Sequence, residues 1–75
     1  MKVTYDTRAD ALYIQLREDK FVRNQEVAEG VILDIGEGEA LLGIEILEAS
    51  SRFSLEDLAR VEVLMPLELA AVSAG

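Results

Sequence analysis

The chain has 75 residues, 51% of them hydrophobic, with two Phe, two Tyr and no Trp, Cys or His. That length gives one domain, near the size at which a single core barely offsets the entropy of ordering the backbone. Disulfides and the customary zinc ligands are both missing as staples. A formal net charge of −8 argues against nucleic acid as a direct partner, because such binding relies on Lys and Arg at the phosphates.

Lys2 to Tyr5 alternates, with Val3 and Tyr5 on one side, and reads as a short first strand. Asp6 to Asp10 forms a turn in which the Asp6 carboxylate accepts backbone N–H groups one or two residues on. In the second strand, Ala11 to Leu16, Leu12, Ile14 and Leu16 point one way and Ala11, Tyr13 and Gln15 the other. Charged residues from Arg17 to Lys20 turn the chain back. Phe21 to Val27 is a weaker strand, interrupted by Arg23, Asn24, Gln25 and Glu26, as suits a sheet edge that must not pair with strangers. Ala28 to Gly30 turns again.

A hairpin follows. Its first strand, Val31 to Ile35, sets Val31, Leu33 and Ile35 against Asp34; its second, Leu41 to Leu47, carries Leu42, Ile44 and Ile46 on one face and Leu41, Gly43, Glu45 and Leu47 on the other. The loop Gly36-Glu37-Gly38-Glu39 supplies two glycines for positive φ. Beyond Ala49 the pattern changes to a helix start: Ser54 as N-cap, Asp57 at the third helical position and Phe53 with Leu58 as a hydrophobic staple. Leu55, Leu58 and Ala59 would face the sheet. Val61 to Met65 alternates as a strand does, although continued helix is an alternative, and Pro66 opens an apolar tail through Leu67, Leu69 and Val72.

The expected fold is therefore α+β. Residues 1–50 form an antiparallel β-meander of about five strands, and residues 51–75 supply a C-terminal helix packed on one face and an apolar tail. Apolar side chains lie on both faces of the hairpin, more than one helix shields, so the chain is expected to form a homodimer or higher oligomer. The expected contact is Tyr13, Ile32, Leu41 and Leu47, with Leu67 and Leu69 of the tail as a second candidate.

Inventory removes most catalytic chemistry. Without His or Cys there is no Ser-His or Cys-His nucleophile system, and neither Lys2 nor Lys20 sits in apolar surroundings that would depress its pKa. Tyr5 and Tyr13, on neighbouring strands, are expected to meet as packing residues, and Ser50 and Ser51 to serve a loop or cap. Asp6, Asp10, Asp34 and Glu45 are the candidate oxygen ligands for a hard cation such as Ca²⁺ or Mg²⁺, though carboxylates at turns more simply cap backbone N–H groups. No catalytic residue, cofactor or membrane span is expected. The lack of Cys, signal segment and long apolar run fits a cytoplasmic protein. Charge is uneven: residues 1–24 carry five basic and four acidic side chains, residues 25–75 two and eleven. A small basic protein is thus an easier partner than nucleic acid.

The blocks Tyr5-Asp6, Ala9-Asp10-Ala11-Leu12-Tyr13-Ile14, Gly30-Val31-Ile32-Leu33-Asp34 and Gly43-Ile44-Glu45-Ile46-Leu47 together resemble the small prokaryotic family called domain of unknown function 2283, over residues 1–50. The resemblance implies no activity and no catalytic residues. Proteins similar to this family stand beside small suspected toxins, which suggests an antitoxin-like role. Three expectations result: a non-catalytic module that self-associates through its sheet, an acidic neutraliser of a basic partner, and a carboxylate site for a divalent metal or small ligand.

Overall fold

A computed structural model of the chain describes residues 1–66, which form a five-stranded antiparallel sheet followed by two short helices. The strands are β1 (Lys2–Asp6), β2 (Ala11–Gln15), β3 (Phe21–Ala28), β4 (Val31–Gly36) and β5 (Leu41–Ile46); the helices are α1 (Ala49–Arg52) and α2 (Leu55–Ala59). The α+β class and the five-strand antiparallel sheet agree with the reading of the sequence. Leu67 and Leu69 of the expected tail contact lie outside the described residues.

The spatial order is β1-β2-β5-β4-β3, not the sequential order of a simple meander. β3, β4 and β5 do form a meander, and the β1–β2 hairpin adds to its free edge through the β2–β5 pair. The chain makes this exchange in the short segment between β2 and β3, which runs past the ends of β5 and β4. There Leu16 and Arg17 both donate their N–H groups to the Leu42 carbonyl, at 2.7 and 3.2 Å, and the Lys20 carbonyl crosses close over Gly36. The most apolar strand, β5, gains two partners this way. Charged β3 remains at an edge as its composition requires, and its pairing with β4 shifts register near both ends, a bulged geometry that discourages further pairing.

Local chemistry sets the turns. Asp6 Oδ1 accepts the N–H groups of Arg8 and Ala9 at 2.9 and 3.1 Å, two and three residues on. In the β4–β5 loop, a single 3₁₀ turn at Glu37–Glu39, the positive φ values fall on Gly38 (66°) and Glu39 (62°). Gly36 is not one of them: its φ is −102°, and it belongs to the end of β4. Arg23 then fastens β3 to this loop by a two-pronged ion pair, each guanidinium nitrogen 2.8 Å from a Glu39 oxygen.

The core is small. Among the described residues the buried hydrophobic side chains are Ala11, Leu12, Ile35, Leu42 and Ala49, and no large side chain is fully enclosed. Helix α2 starts where the sequence signals it: Ser54 Oγ accepts the Asp57 N–H at 3.1 Å and Asp57 Oδ2 accepts the Ser54 N–H at 3.3 Å, closing a capping box. Phe53, Leu58 and Val61 line a cleft with Val3 and Leu12, so the helix shields one corner of the sheet. Leu55 does not face the sheet; it is 75% exposed, and Ala59 is exposed as well. Residues 60–66 form neither the strand nor the continued helix that their alternation suggests. Helix α1 was not legible at all, since Ser50 and Ser51 read as loop residues.

Ala49, the first residue of α1, has no exposed surface, the lowest exposure among the buried hydrophobic side chains described. Ala49→Leu is expected to destabilise the fold by about 1–3 kcal/mol through overpacking, whereas Leu55→Ala changes stability by less than about 0.5 kcal/mol; urea unfolding of both variants measures the contrast.

Candidate interaction face

Pairing register divides the strands into two unlike faces. Directly opposed residues in an antiparallel pair share a face, so the partners Val3–Ile14, Tyr5–Leu12, Ile14–Ile44, Leu12–Ile46, Leu33–Ile44 and Val31–Ile46 place all these side chains together. Ile35 and Leu42 belong with them, beside a bulge at Asp34/Ile35. On β3 the same face continues through Arg23 and Gln25. No acidic residue of any strand lies on it, although the chain holds 15 acids. Val3, Ile14, Val31, Leu33, Ile44 and Ile46 are only half-buried there.

The opposite face is polar and carries the strand acids Asp6, Glu26, Asp34 and Glu45. At its centre Tyr13 reaches from β2 over β5 to β4, where its hydroxyl donates to Asp34 Oδ2 at 2.9 Å; the other Asp34 oxygen accepts from Asn24 Nδ2 on β3 at 2.6 Å. One carboxylate thereby links side chains from three strands. The path is open because β5 has Gly43 beneath the ring: a Cβ there would lie 2.6 Å from Tyr13 Cζ and overlap the hydroxyl. Partial removal from water, and then the bond to Asp34, raise the Tyr13 pKa above its ordinary value.

Both faces are held in register at one end by α1. Asp10, at the end of the β1–β2 turn with φ 51°, accepts the Tyr5 hydroxyl at 2.6 Å, the Ser50 N–H at 3.0 Å and the Ser50 hydroxyl at 2.6 Å, and its carbonyl accepts the Ala49 N–H at 2.9 Å. Glu48, at the N-cap position of α1, makes no side-chain cap, so a carboxylate from 40 residues earlier does its work. On the other side Arg52 donates to the carbonyls of Leu47 (3.1 Å) and Glu29 (2.5 Å). One turn of helix thus ties the β1–β2 and β3–β4 turns together. The bonds from Ser50 and then Tyr5 hold the Asp10 carboxyl below the usual carboxylate range, which makes it a poor general base at neutral pH, and Asp10 in turn raises the Tyr5 pKa.

The expected site residues are therefore dispersed. Tyr5 and Tyr13 occupy opposite faces, since Tyr13 opposes Thr4 while Tyr5 opposes Leu12, and they do not meet. Asp34 and Glu45 do share a face, but Asp6, Asp10 and Asp34 aim oxygens at separate partners, and no group of three or more metal-ligating side chains gathers among the described residues. Tyr13 and Ile32 flank Glu45 on the polar face, which sets a carboxylate in the middle of the expected contact. Leu41 is 40% exposed at the start of β5, and Leu47 follows β5 with its N–H donated to the Gly30 carbonyl at 2.8 Å. Sequence reasoning missed Asn24, Gly43, Ser50 and Arg52 as members of these networks. The one available signal was the pairing of Gly43 with a bulky Tyr two residues off on the neighbouring strand.

Residues 2–50 match the family described as protein of unknown function (DUF2283). A Methanosarcina mazei protein described as "Putative hypoxanthine phosphoribosyltransferase" is 40% identical over 63 residues, 81% of this chain and 50% of that protein. The chain thus spans about half the length of this curated relative. No solved structure matches.

Two measurements probe the networks. Gly43→Ala is expected to expel Tyr13 from Asp34 and destabilise by about 1–3 kcal/mol, a penalty that disappears in the Tyr13→Ala background, so a double-mutant cycle by chemical denaturation shows strong coupling. Asp10→Asn lowers the melting temperature at neutral pH. Because the folded carboxyl titrates below its ordinary range, the stabilisation is complete above that range and is lost as pH falls through the lowered value; the gap between wild type and variant should narrow as thermal melts are taken to progressively more acid pH.

Proposed function

We propose that this chain, which belongs to the DUF2283 family of proteins of unknown function, is a non-catalytic protein-interaction module that self-associates through the aliphatic face of its sheet. The observation that carries the reading is the segregation of charge. Four strand acids crowd the Tyr13 face, while the Ile44 face combines half-buried aliphatic side chains with no strand acid. Two copies of a chain with net charge −8 repel, so a contact between copies must fall where the carboxylates are not. The face measures roughly 19 by 17 Å, on the order of 300 Å² in projection, which places it at the size of the largest apolar patch a monomer usually leaves bare.

Absence of catalysis rests on chemistry. The chain has no His or Cys, and Asp10, the carboxylate that engages the Ser50 hydroxyl, is held in its ionised form by hydrogen bonds. The transferase name of the archaeal relative belongs to a protein half of which lies outside the match. The acidic face favours a second reading, in which a small basic protein docks over Glu45, Asp6 and Glu26 while the aliphatic face joins two copies. No helix among the described residues is long and apolar enough to cross a membrane.

Light scattering at micromolar concentration is expected to return at least twice the 8.3 kDa chain mass. Ile44→Glu on the aliphatic face should give a monomer with an unchanged β-sheet circular dichroism spectrum, and Ile32→Glu on the polar face should leave the assembly intact. A wild-type chain of monomer mass would refute self-association.

A further inference from the structure

Two apolar surfaces of the same chain stand apart from each other. One is the acid-free face around Ile14, Leu33 and Ile44. The other is the segment after α2: Val61, Val63, Leu64 and Met65 are 59, 69, 86 and 54% exposed and belong to no helix or strand. Other exposed hydrophobic side chains, such as Phe21, Val27 and Leu55, are spread over the surface, whereas here four fall within five residues, and the alternation of Val61 and Val63 suits an extended strand laid on apolar ground.

Geometry relates the two. Val61 stands at the rim of the face, in the cleft with Phe53, Leu58, Val3 and Leu12, so the segment departs from the β1–β2 corner of that surface. Beyond it, residues 62–66 fully extended span about 17 Å. Four inter-strand spacings of the sheet amount to about 19 Å. Met65 is held toward extended geometry by Pro66. The arm is therefore long enough to cross most of the face. Within its own chain it does not do so: Val63, Leu64 and Met65 stay solvent-exposed while Ile14, Leu33 and Ile44 remain half-buried.

We propose that the arm of residues 61–66 lies across the aliphatic face of a second copy, and that the reciprocal exchange of two arms forms the homodimer. This deepens the self-association reading and rests on it, because it names what covers the face. A two-fold exchange is closed: each chain donates one arm and offers one face, leaving neither surface spare. It also limits repulsion, since the arm brings only Glu62 against a face that holds no strand acid.

The test uses the full chain and sedimentation equilibrium. Val63→Asp/Met65→Asp alters exposed residues outside any helix or strand, so the fold is retained, and it should weaken the dimer by at least about a hundredfold. Ile44→Glu should do the same from the face side. An equimolar mixture of the two variants decides the geometry: one intact arm then meets one intact face, and a heterodimer weaker than wild type should appear. Arm variants that dimerise as wild type does, or two monomeric variants that fail to complement, would overturn arm exchange while leaving association of the faces standing. A monomeric wild type would overturn both.

Discussion

A single layer of β-sheet has two faces, and the helices among the described residues shield only a corner of one. That constraint orders the rest of the structure. Five strands bring the aliphatic side chains of β1, β2, β4 and β5 to one side, yet the buried hydrophobic set among the described residues is only Ala11, Leu12, Ile35, Leu42 and Ala49. Helix α2, five residues long, reaches Val3 and Leu12 and no farther across the sheet. No cysteine is present to staple so small a core with a disulfide.

The polar side of the molecule solves a different problem. Antiparallel pairing of five short strands needs something to fix their register, and hydrophobic contact on a half-wet face specifies it weakly. Tyr13, Asp34 and Asn24 supply directional bonds over β2, β4 and β3, with Gly43 as the gap that lets the ring through. At the end of the sheet Asp10 and Arg52 do the same for the turns by way of α1. Both devices lie within or beside the part of the chain that matches the DUF2283 family, residues 2–50, whereas Arg52 and α2 follow it.

Strands were legible because their alternation is local, and so was the capping box of Ser54 and Asp57, because three residues suffice to build it. Strand order was not. Nothing in the alternation of Leu12, Ile14 and Leu16 says that β2 pairs with β5, a choice made by how much apolar surface each edge offers. The expected contact of Tyr13, Ile32, Leu41 and Leu47 rested on the assumption that the helix covers the whole of the other face. A helix of five residues cannot. Asp10 was recognised as a carboxylate at a turn with a capping role, but the helix it caps is 40 residues away and had no signal of its own.

The central claim is that the Ile44 face meets another copy of the chain. Isotope-filtered nuclear Overhauser spectroscopy on a mixture of labelled and unlabelled protein reads this directly. Methyl groups of Ile14, Leu33 and Ile44 should show intermolecular contacts, with Val63 and Met65 among the protons they see. Methyl groups on that face with no intermolecular contact, in a sample at millimolar concentration, would contradict the account.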